Sequence, residues 1–227
     1  MKEWVCGCCG KIFLAHTKSY NTPRKFCSRA CESISKRKLI LGVGYNDIKA
    51  PVSKVKDAYT KWRGMLERCY DKKSLIKAAT YNDCIVCEEW KFFSNFEKWH
   101  RENFDINTMQ GYHLDKDIII QGNHIYSPDT CCFVPSRVNA LFTRREKCRG
   151  KYKIGVRKYY NKFEARCQNN TGEAIYLGTF STENEAFEAY KIYKLKVIKD
   201  VAEEHFTKGL ITEKVYKALL KYKIKEY

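Results

Sequence analysis

Apolar and aromatic positions recur at intervals of three and four residues in two stretches of the chain, which predicts two amphipathic helices. Aromatic side chains at helical spacing pack into a core far more often than they bind a cofactor, so we interpret both stripes as core. The stripes are Tyr59, Trp62, Met65, Leu66, Cys69 and Tyr70 in the first stretch and Trp90, Phe93, Phe96 and Trp99 in the second.

The pattern changes after Gly111, where residues 112–120 alternate as a strand does. Residues 121–123 have turn character, and residues 130–134 fit a return strand. Pro135 and Ser136 then open a helix whose apolar side carries Val138, Leu141 and Phe142. This order predicts a hairpin followed directly by a helix.

A second strand-rich region follows, with short strands predicted around residues 153–157, 163–168 and 174–180. A helix is expected from Thr182, which together with Glu185 has the spacing of a capping box. From about residue 211 a further helix is predicted that is basic on one side.

Charged stretches without apolar periodicity, at residues 36–38 and 144–150, suggest boundaries between modules. The chain of 227 residues is long for one core and natural for several small ones. We therefore predict an α+β protein of several modules. They are a knuckle at residues 1–38, a central domain at 42–145, a sheet-and-helix domain at 151–205 and a basic helical tail at 206–227.

The composition indicates a polyanionic partner, because 43 Lys and Arg against 26 Asp and Glu give a formal charge of +17. The basic residues alternate with aromatic ones, which a surface selected only for solubility would avoid. Double-stranded DNA is the expected partner. No apolar run approaches the roughly 20 residues of a membrane span, and the first residues lack a signal core, so we expect a cytosolic protein.

Four cysteines near the start have the spacing of a closed thiolate site. Cys6 and Cys9 form one close pair, and Cys27 and Cys31 form the other. This predicts one structural zinc ion, with Cys8 as an alternative ligand and reduced thiols in a disordered segment as the alternative interpretation. Residues 4–36 resemble short treble-clef-like zinc knuckles. The later cysteines, Cys84, Cys87, Cys131 and Cys132, are interpreted as buried thiols rather than a second zinc site.

The stretches at residues 112–118 and 126–139 carry a resemblance to the HNH, or His-Me finger, endonucleases, particularly the phage-borne group related to homing endonucleases. Residues 62–70 and 87–90 look like that group's upstream helices, so the resemblance covers about residues 42–143. It implies a hairpin and helix that hold one divalent metal ion, magnesium or manganese, against the scissile phosphate of DNA.

The resemblance also implies roles by position. Asp115 matches the first metal ligand and Asn139 the second, Lys116 stands at the histidine base, and Thr130 stands at the asparagine that orients this base. Strict strand alternation would place Lys116 and Asp115 on opposite faces of the strand, so that Lys116 would reach the site only through a bulge. His113 or His124 is therefore the alternative source of an imidazole.

The segment at about residues 151–205 resembles the Apetala/ethylene-response-factor DNA-binding domain. The resemblance is carried by residues 155–157, 162–166 and 177–190, which occur in order and at suitable spacing. The resemblance implies a three-stranded sheet that lies in the major groove with a helix behind it. The side chains expected to project from the sheet toward DNA are Arg157, Lys158, Lys162, Arg166 and Gln168.

The function expected from these features is a metal-dependent DNA endonuclease or nickase of the homing type, directed to its site by the flanking modules. One alternative is a regulator that binds DNA through the same modules and does not cut it. Another is an interaction protein that inhibits a different nucleic-acid enzyme through its basic surface.

Overall fold

The structure is a computed structural model that describes residues 2–8, 10–15, 25–142 and 151–224. It has mixed α+β structure, as predicted. Two compact units are present: unit 1 comprises residues 1–104 and 124–129, and unit 2 comprises residues 105–123 and 130–227. The described strands are β1 (Lys2–Val5), β2 (Ile12–Ala15), β3 (Ile85–Val86), β4 (His113–Asp115), β5 (Ile125–Tyr126), β6 (Cys132–Val134), β7 (Val156–Tyr159), β8 (Lys162–Gln168) and β9 (Ala174–Phe180). The α-helices are α1 (Arg29–Ser35), α2 (Lys56–Tyr70), α3 (Lys72–Lys77), α4 (Phe93–Asn103), α5 (Ser136–Ala140), α6 (Glu183–Thr207) and α7 (Glu213–Leu220).

Unit 1 begins with an antiparallel pair of strands, β1 and β2, followed by the short helix α1. Gly10, in the connection between the strands, has a positive φ of 69°, a conformation that favours glycine. Helix α1 begins after Ser28, whose side chain accepts a hydrogen bond from the backbone N–H of Cys31. This cap places Cys31 in the first turn of the helix.

The rest of unit 1 is built on the two aromatic stripes. Helix α2 carries the first stripe and buries Trp62 completely, as predicted, and its indole Nε1 donates to the carbonyl of Trp90 at 2.7 Å. The second stripe is divided between two elements, because Trp90 lies in a short 3-10 turn and α4 begins only at Phe93. Between them Phe92 has extended backbone, which ends the first turn. Both stripes are core, but only the first is one continuous helix.

Unit 2 contains the predicted hairpin strands and the predicted sheet. Strand β4 pairs antiparallel with β6, and α5 follows β6 after Pro135. Strands β7, β8 and β9 form a three-stranded antiparallel sheet with β8 in the centre, and α6 follows it. The capping box at the start of α6 is confirmed, since Thr182 and Glu185 exchange both hydrogen bonds. The predicted strand 112–120 is too long, because β4 ends at Asp115.

A single hydrophobic core joins the first strand pair of unit 2 to its C-terminal helices. Strand β6 and helix α5 contribute Val134 and Val138, both fully buried. Helix α6 contributes residues such as Val201, and α7 contributes Val215 and Leu219. The tail expected at residues 206–227 therefore includes a helix that is packed into a core.

The boundaries between the two compact units differ from the boundaries between the predicted modules. The basic stretch at residues 36–38 lies inside unit 1, where Arg37 Nη1 donates to the backbone carbonyls of Asn46 and Ile48 at 2.8 Å. The second predicted boundary, at residues 144–150, lies outside the described residues. Within the described part of the chain, no helix is long and apolar enough to cross a membrane.

Candidate functional site

Three of the four predicted zinc ligands lie together in unit 1. The Sγ atoms of Cys6, Cys27 and Cys31 all lie within 4.8 Å of one another, and those of Cys27 and Cys31 are 3.4 Å apart. In a tetrahedral thiolate site with zinc–sulfur bonds of about 2.3 Å, neighbouring sulfurs are separated by about 3.8 Å. The spacing and the soft thiolate chemistry both fit zinc, so this cluster could hold a metal ion such as zinc.

Local structure brings these cysteines together from distant positions in the sequence. Cys6 directly follows β1 and is 2% exposed, and its backbone N–H donates to the carbonyl of Lys11 across the turn. Cys27 approaches it, since its backbone N–H donates to Cys6 Sγ at 3.4 Å. The fourth predicted ligand, Cys9, lies outside the described residues, and Cys8 is not part of the group that the described residues form.

The second candidate site lies where β4, β6 and α5 meet in unit 2. His113 pairs with Val134, and Asp115 pairs with Cys132, so these four residues share one face of the strand pair. Val134 and Cys132 pack in the same core as Val138 of α5. His113 and Asp115 therefore lie on the face that carries the helix, while Leu114 lies on the other.

A hydrogen bond connects β4 to the first residue of α5. The hydroxyl of Ser136 donates to the carbonyl of Gly111 at 3.1 Å, and His113 Nε2 lies 3.1 Å from the same oxygen. A hydroxyl has a single proton to donate, so while it donates to the carbonyl of Gly111, Ser136 can accept from an Nε2–H of His113. In the neutral imidazole with this tautomer, Nδ1 keeps the lone pair that a general base requires.

Asn139 lies three residues after Ser136 in α5. Residues three apart share a face of a helix, so Asn139 lies one turn further along the face on which Ser136 bonds His113. Its side chain is partly buried. Asp115 and Asn139 thus come from two elements that contact each other, and both offer the oxygen ligands that magnesium and manganese prefer.

Asp115 also ends the strand on which it lies. Its Oδ1 accepts hydrogen bonds from the backbone N–H groups of Asp117 and Ile118 at 2.8 and 2.7 Å, which turns the chain out of the sheet. Desolvation is the largest influence and the neighbouring Asp117 charge the next, and together they raise the pKa of Asp115 to about 6. A carboxylate in this setting gains from a cation that offsets its charge.

Two further residues of the predicted centre, Lys116 and Thr130, belong to unit 2, whereas the alternative His124 does not. Lys116 is only 7% exposed, and its ammonium contacts the carboxylate of Asp117 at 3.1 Å. Thr130 lies in the turn before β6 and is partly exposed. His124 belongs to unit 1, where its Nδ1 lies 4.0 Å from Cys84 Sγ.

The sheet of unit 2 presents a charged face away from α6. Arg157, Glu164 and Thr179 are cross-strand neighbours there, and Arg166 pairs with Tyr176 beyond a register shift. Arg157 Nε lies 2.6 Å from Glu164 Oε2, and Arg166 Nε lies 3.4 Å from the same oxygen. The hydrogen bond from Arg157 is the main cause that lowers the pKa of Glu164, and the charges of both arginines add to it.

One residue of the predicted DNA-facing set lies on the opposite face of this sheet. Lys158 pairs with Phe163, and its ammonium lies 4.1 Å from the centre of that ring. Adjacent residues of a strand point to opposite faces of the sheet, so Lys158 cannot lie on the same face as Arg157. Lys162, Arg166 and Gln168 are all exposed, and Lys162 shares the face of Arg157 and Glu164.

Sequence reasoning missed three residues that organise these sites. Ser136 was recognised only as a helix start, although its hydroxyl also orients His113. Glu164 gave no signal, since its role depends on the strand register. Arg137 of α5 donates to the carbonyls of Asn169 and Asn170 at 2.8 Å, which ties α5 to the loop between β8 and β9.

No protein-family model, curated protein or solved structure matches this chain.

Proposed function

We propose that this protein is a site-directed DNA endonuclease or nickase that requires a divalent metal ion. The observation that carries the proposal is the arrangement of His113 and Asp115 on one face of a strand pair, against a helix that bears Asn139. The charge of +17 and the arginine-bearing sheet support DNA as the substrate. The resemblance to HNH endonucleases in residues 112–139 supports phosphodiester hydrolysis as the reaction.

In this proposal Asp115 and Asn139 hold the ion through their side-chain oxygens. A divalent cation held there would offset charge on the scissile phosphate and on the leaving oxygen. The Asp115 carboxylate keeps Oδ1 on the turn that ends β4, so the ion is assigned to Oδ2.

His113 is the proposed general base rather than Lys116. Its Nδ1 can take a proton from water while Ser136 holds Nε2–H. Lys116 is the weaker candidate, since its buried ammonium is already engaged with the carboxylate of Asp117 at 3.1 Å. Thr130, at the position of an orienting asparagine, is left without an assigned role because Ser136 orients the imidazole.

The N-terminal cluster is proposed to be a structural zinc site with Cys9 as the fourth ligand. Cys6, Cys27 and Cys31 converge without it, and four thiolates complete a closed tetrahedral site. A segment this short buries little apolar surface, so the metal ion would supply much of its stability.

Conversion of supercoiled plasmid by the purified protein tests the enzyme proposal. We expect nicked or linear DNA with magnesium or manganese, no conversion in EDTA, and recovery when magnesium or manganese alone is added back. His113→Ala should lose most of the activity and regain part of it with added imidazole. Lys116→Met, which retains the buried aliphatic stem, should remain active. Activity lost in Lys116→Met and retained in His113→Ala would assign the base to Lys116 instead.

A regulator that binds DNA without cutting it is the second candidate. It is favoured by one observation, namely that Asp115 already has a structural task in closing the turn after β4. Tight, salt-dependent binding of duplex DNA with no conversion under any divalent ion would support this candidate and exclude the nuclease.

A further inference from the structure

Glu164 is the buried acidic residue on an otherwise exposed basic face. Its side chain is 8% exposed, whereas those of Arg157 and Arg166 are 54% and 47% exposed. One carboxylate oxygen, Oε2, faces the Nε atoms of both arginines, which come from neighbouring strands. The arginines therefore cover the carboxylate from two sides.

This contact uses the inner nitrogen of each guanidinium group. The terminal nitrogens form the fork that donates two hydrogen bonds to O6 and N7 of a guanine in the major groove. Arg166 is further constrained by Tyr176, whose ring centre lies 5.9 Å away, and the Tyr176 hydroxyl is in turn bonded to Thr179 at 2.7 Å. Side chains that are ordered before binding lose less conformational entropy on contact with DNA.

A carboxylate on a surface that meets phosphates weakens binding to every sequence alike. A face selected only for affinity would therefore not carry one. Glu164 therefore lowers the affinity for all DNA sequences, but it orders the two arginines. This combination is expected of a residue that increases discrimination between sequences.

We propose that Glu164 is a positioning residue that holds Arg157 and Arg166 for the reading of closely spaced guanines in duplex DNA. The inference rests on the proposed function, because it assumes that this sheet face meets DNA. It names guanine-containing duplex as the preferred substrate.

Selection from a randomised duplex library in EDTA, so that no cleavage occurs, tests the role of Glu164. The wild-type protein should enrich a motif with closely spaced guanines. Glu164→Gln keeps the side-chain shape and removes the charge. We expect its ratio of affinities for the selected motif and a random duplex to fall about tenfold, within the range for one bidentate arginine–guanine pair. Glu188→Gln is the matched control, since Glu188 pairs with Lys191 on α6 and its loss changes the net charge equally.

Combined variants distinguish a positioning role of Glu164 from a merely structural one. If Glu164 acts through the arginines, Glu164→Gln should change the ratio no further in an Arg157→Ala/Arg166→Ala background. Arg157→Lys keeps the charge but removes the Nε–H that Glu164 accepts, so it breaks the same contact from the arginine side. It should relax the motif without loss of random-duplex affinity. An unchanged motif in Glu164→Gln, or an equal effect in both backgrounds, overturns the role of Glu164 and leaves the nuclease proposal intact. The role of Glu164 is also overturned if the wild-type protein cuts plasmid but enriches no motif. If it enriches a motif but does not cut, only the nuclease proposal is overturned.

Discussion

The cysteine cluster and the hairpin-helix site are both candidate metal sites, but the protein holds their ligands in different ways. Cys6, Cys27 and Cys31 converge around a two-stranded hairpin and a seven-residue helix, and the hairpin leaves Val5, Ile12 and Leu14 exposed, so it buries little apolar surface. Asp115 and Asn139 lie on elements that pack against a core shared with α6 and α7. The first site is therefore expected to depend on a metal ion for its fold, whereas the second lies on a scaffold that has its own apolar core.

The difference shows why ligand spacing is informative in one case and weak in the other. A closed site that must stabilise its own segment needs all its ligands at fixed positions, and these remain visible in the sequence. An open site on a packed scaffold needs only one or two ligands, and the scaffold survives their replacement. Ligand removal is therefore expected to destabilise the first site and to spare the second.

The largest effect is expected from removal of the cysteine ligands. Cys27→Ala/Cys31→Ala should reduce zinc from about one atom per chain to none and unfold residues 2–35, since structural zinc contributes about 10–16 kcal/mol in small zinc-dependent folds. Elemental analysis and hydrogen exchange measure the two consequences. Cys8→Ser is the matched control and should retain zinc, whereas Cys9→Ser should bind it more weakly. Unchanged zinc content in the double variant would remove the assignment.

Replacement of Asp115 should abolish cleavage and preserve the fold. Asn at this position can still accept the two turn hydrogen bonds but lacks the negative charge, so cleavage should fall by about a thousandfold, equivalent to several kcal/mol of metal-ion stabilisation. Plasmid conversion and duplex binding are measured in parallel, and binding should not change. Asp105→Asn is the control, because Asp105 closes a similar turn in the same unit with Asn107. Full cleavage by Asp115→Asn would remove the site.

The same variant should make unit 2 more stable, which is opposite to the effect at the cysteines. The pKa of Asp115 is raised in the folded state, so the unfolded chain releases this proton first, and stability is lost as pH rises from about 4 to about 6. At pH 7.5 in EDTA, Asp115→Asn should gain up to about 3 kcal/mol, since one pKa unit corresponds to about 1.36 kcal/mol. Denaturant unfolding at pH 4 and 7.5 checks this, and at pH 4 the two proteins should differ little. If Asp115→Asn were less stable than the wild type at pH 7.5, the ionised Asp115 carboxylate would not destabilise the folded state.

The smallest effect is expected from replacement of Lys162, which is proposed to contact a DNA phosphate. This contact would depend on neither metal site. Lys162→Ala should lower the slope of log affinity against log salt concentration by about 0.9 and weaken all duplexes alike. Titration in EDTA at several salt concentrations measures it. Lys158→Ala is the comparison, since Lys158 lies over Phe163 on the other face, and its slope should stay close to the wild-type value. Equal slopes for both variants and the wild type would place this sheet face away from DNA.

Local signals predicted much of the fold. The aromatic stripe of α2, the start of α5 and the capping box of Thr182 and Glu185 are each determined by residues close in sequence. The strand at residues 112–120 was overextended because alternation continues past Asp115, and only the hydrogen bonds from its side chain end the strand.

The features that sequence reasoning missed depend on long-range register. Which side chains meet Glu164 follows from the pairing of β7, β8 and β9 and from the shift between Ala165 and Arg166. Lys158 was grouped with Arg157 by charge, whereas the strand register places the two on opposite faces of the sheet. The core that joins Val134 to Val215 connects segments about eighty residues apart, and no local pattern records it.

That shared core defines which part of this protein could be exchanged between relatives by recombination. A chimera that grafted a new recognition sheet at residue 151 and carried it through to the end of the chain would also replace α6 and α7. Without them Val138 and Leu141 would lose their apolar partners. The hairpin, its helix, the sheet and both C-terminal helices must therefore be inherited together. If the sheet reads DNA as proposed, a change of target sequence is more accessible through substitutions on its exposed face than through exchange of the whole domain.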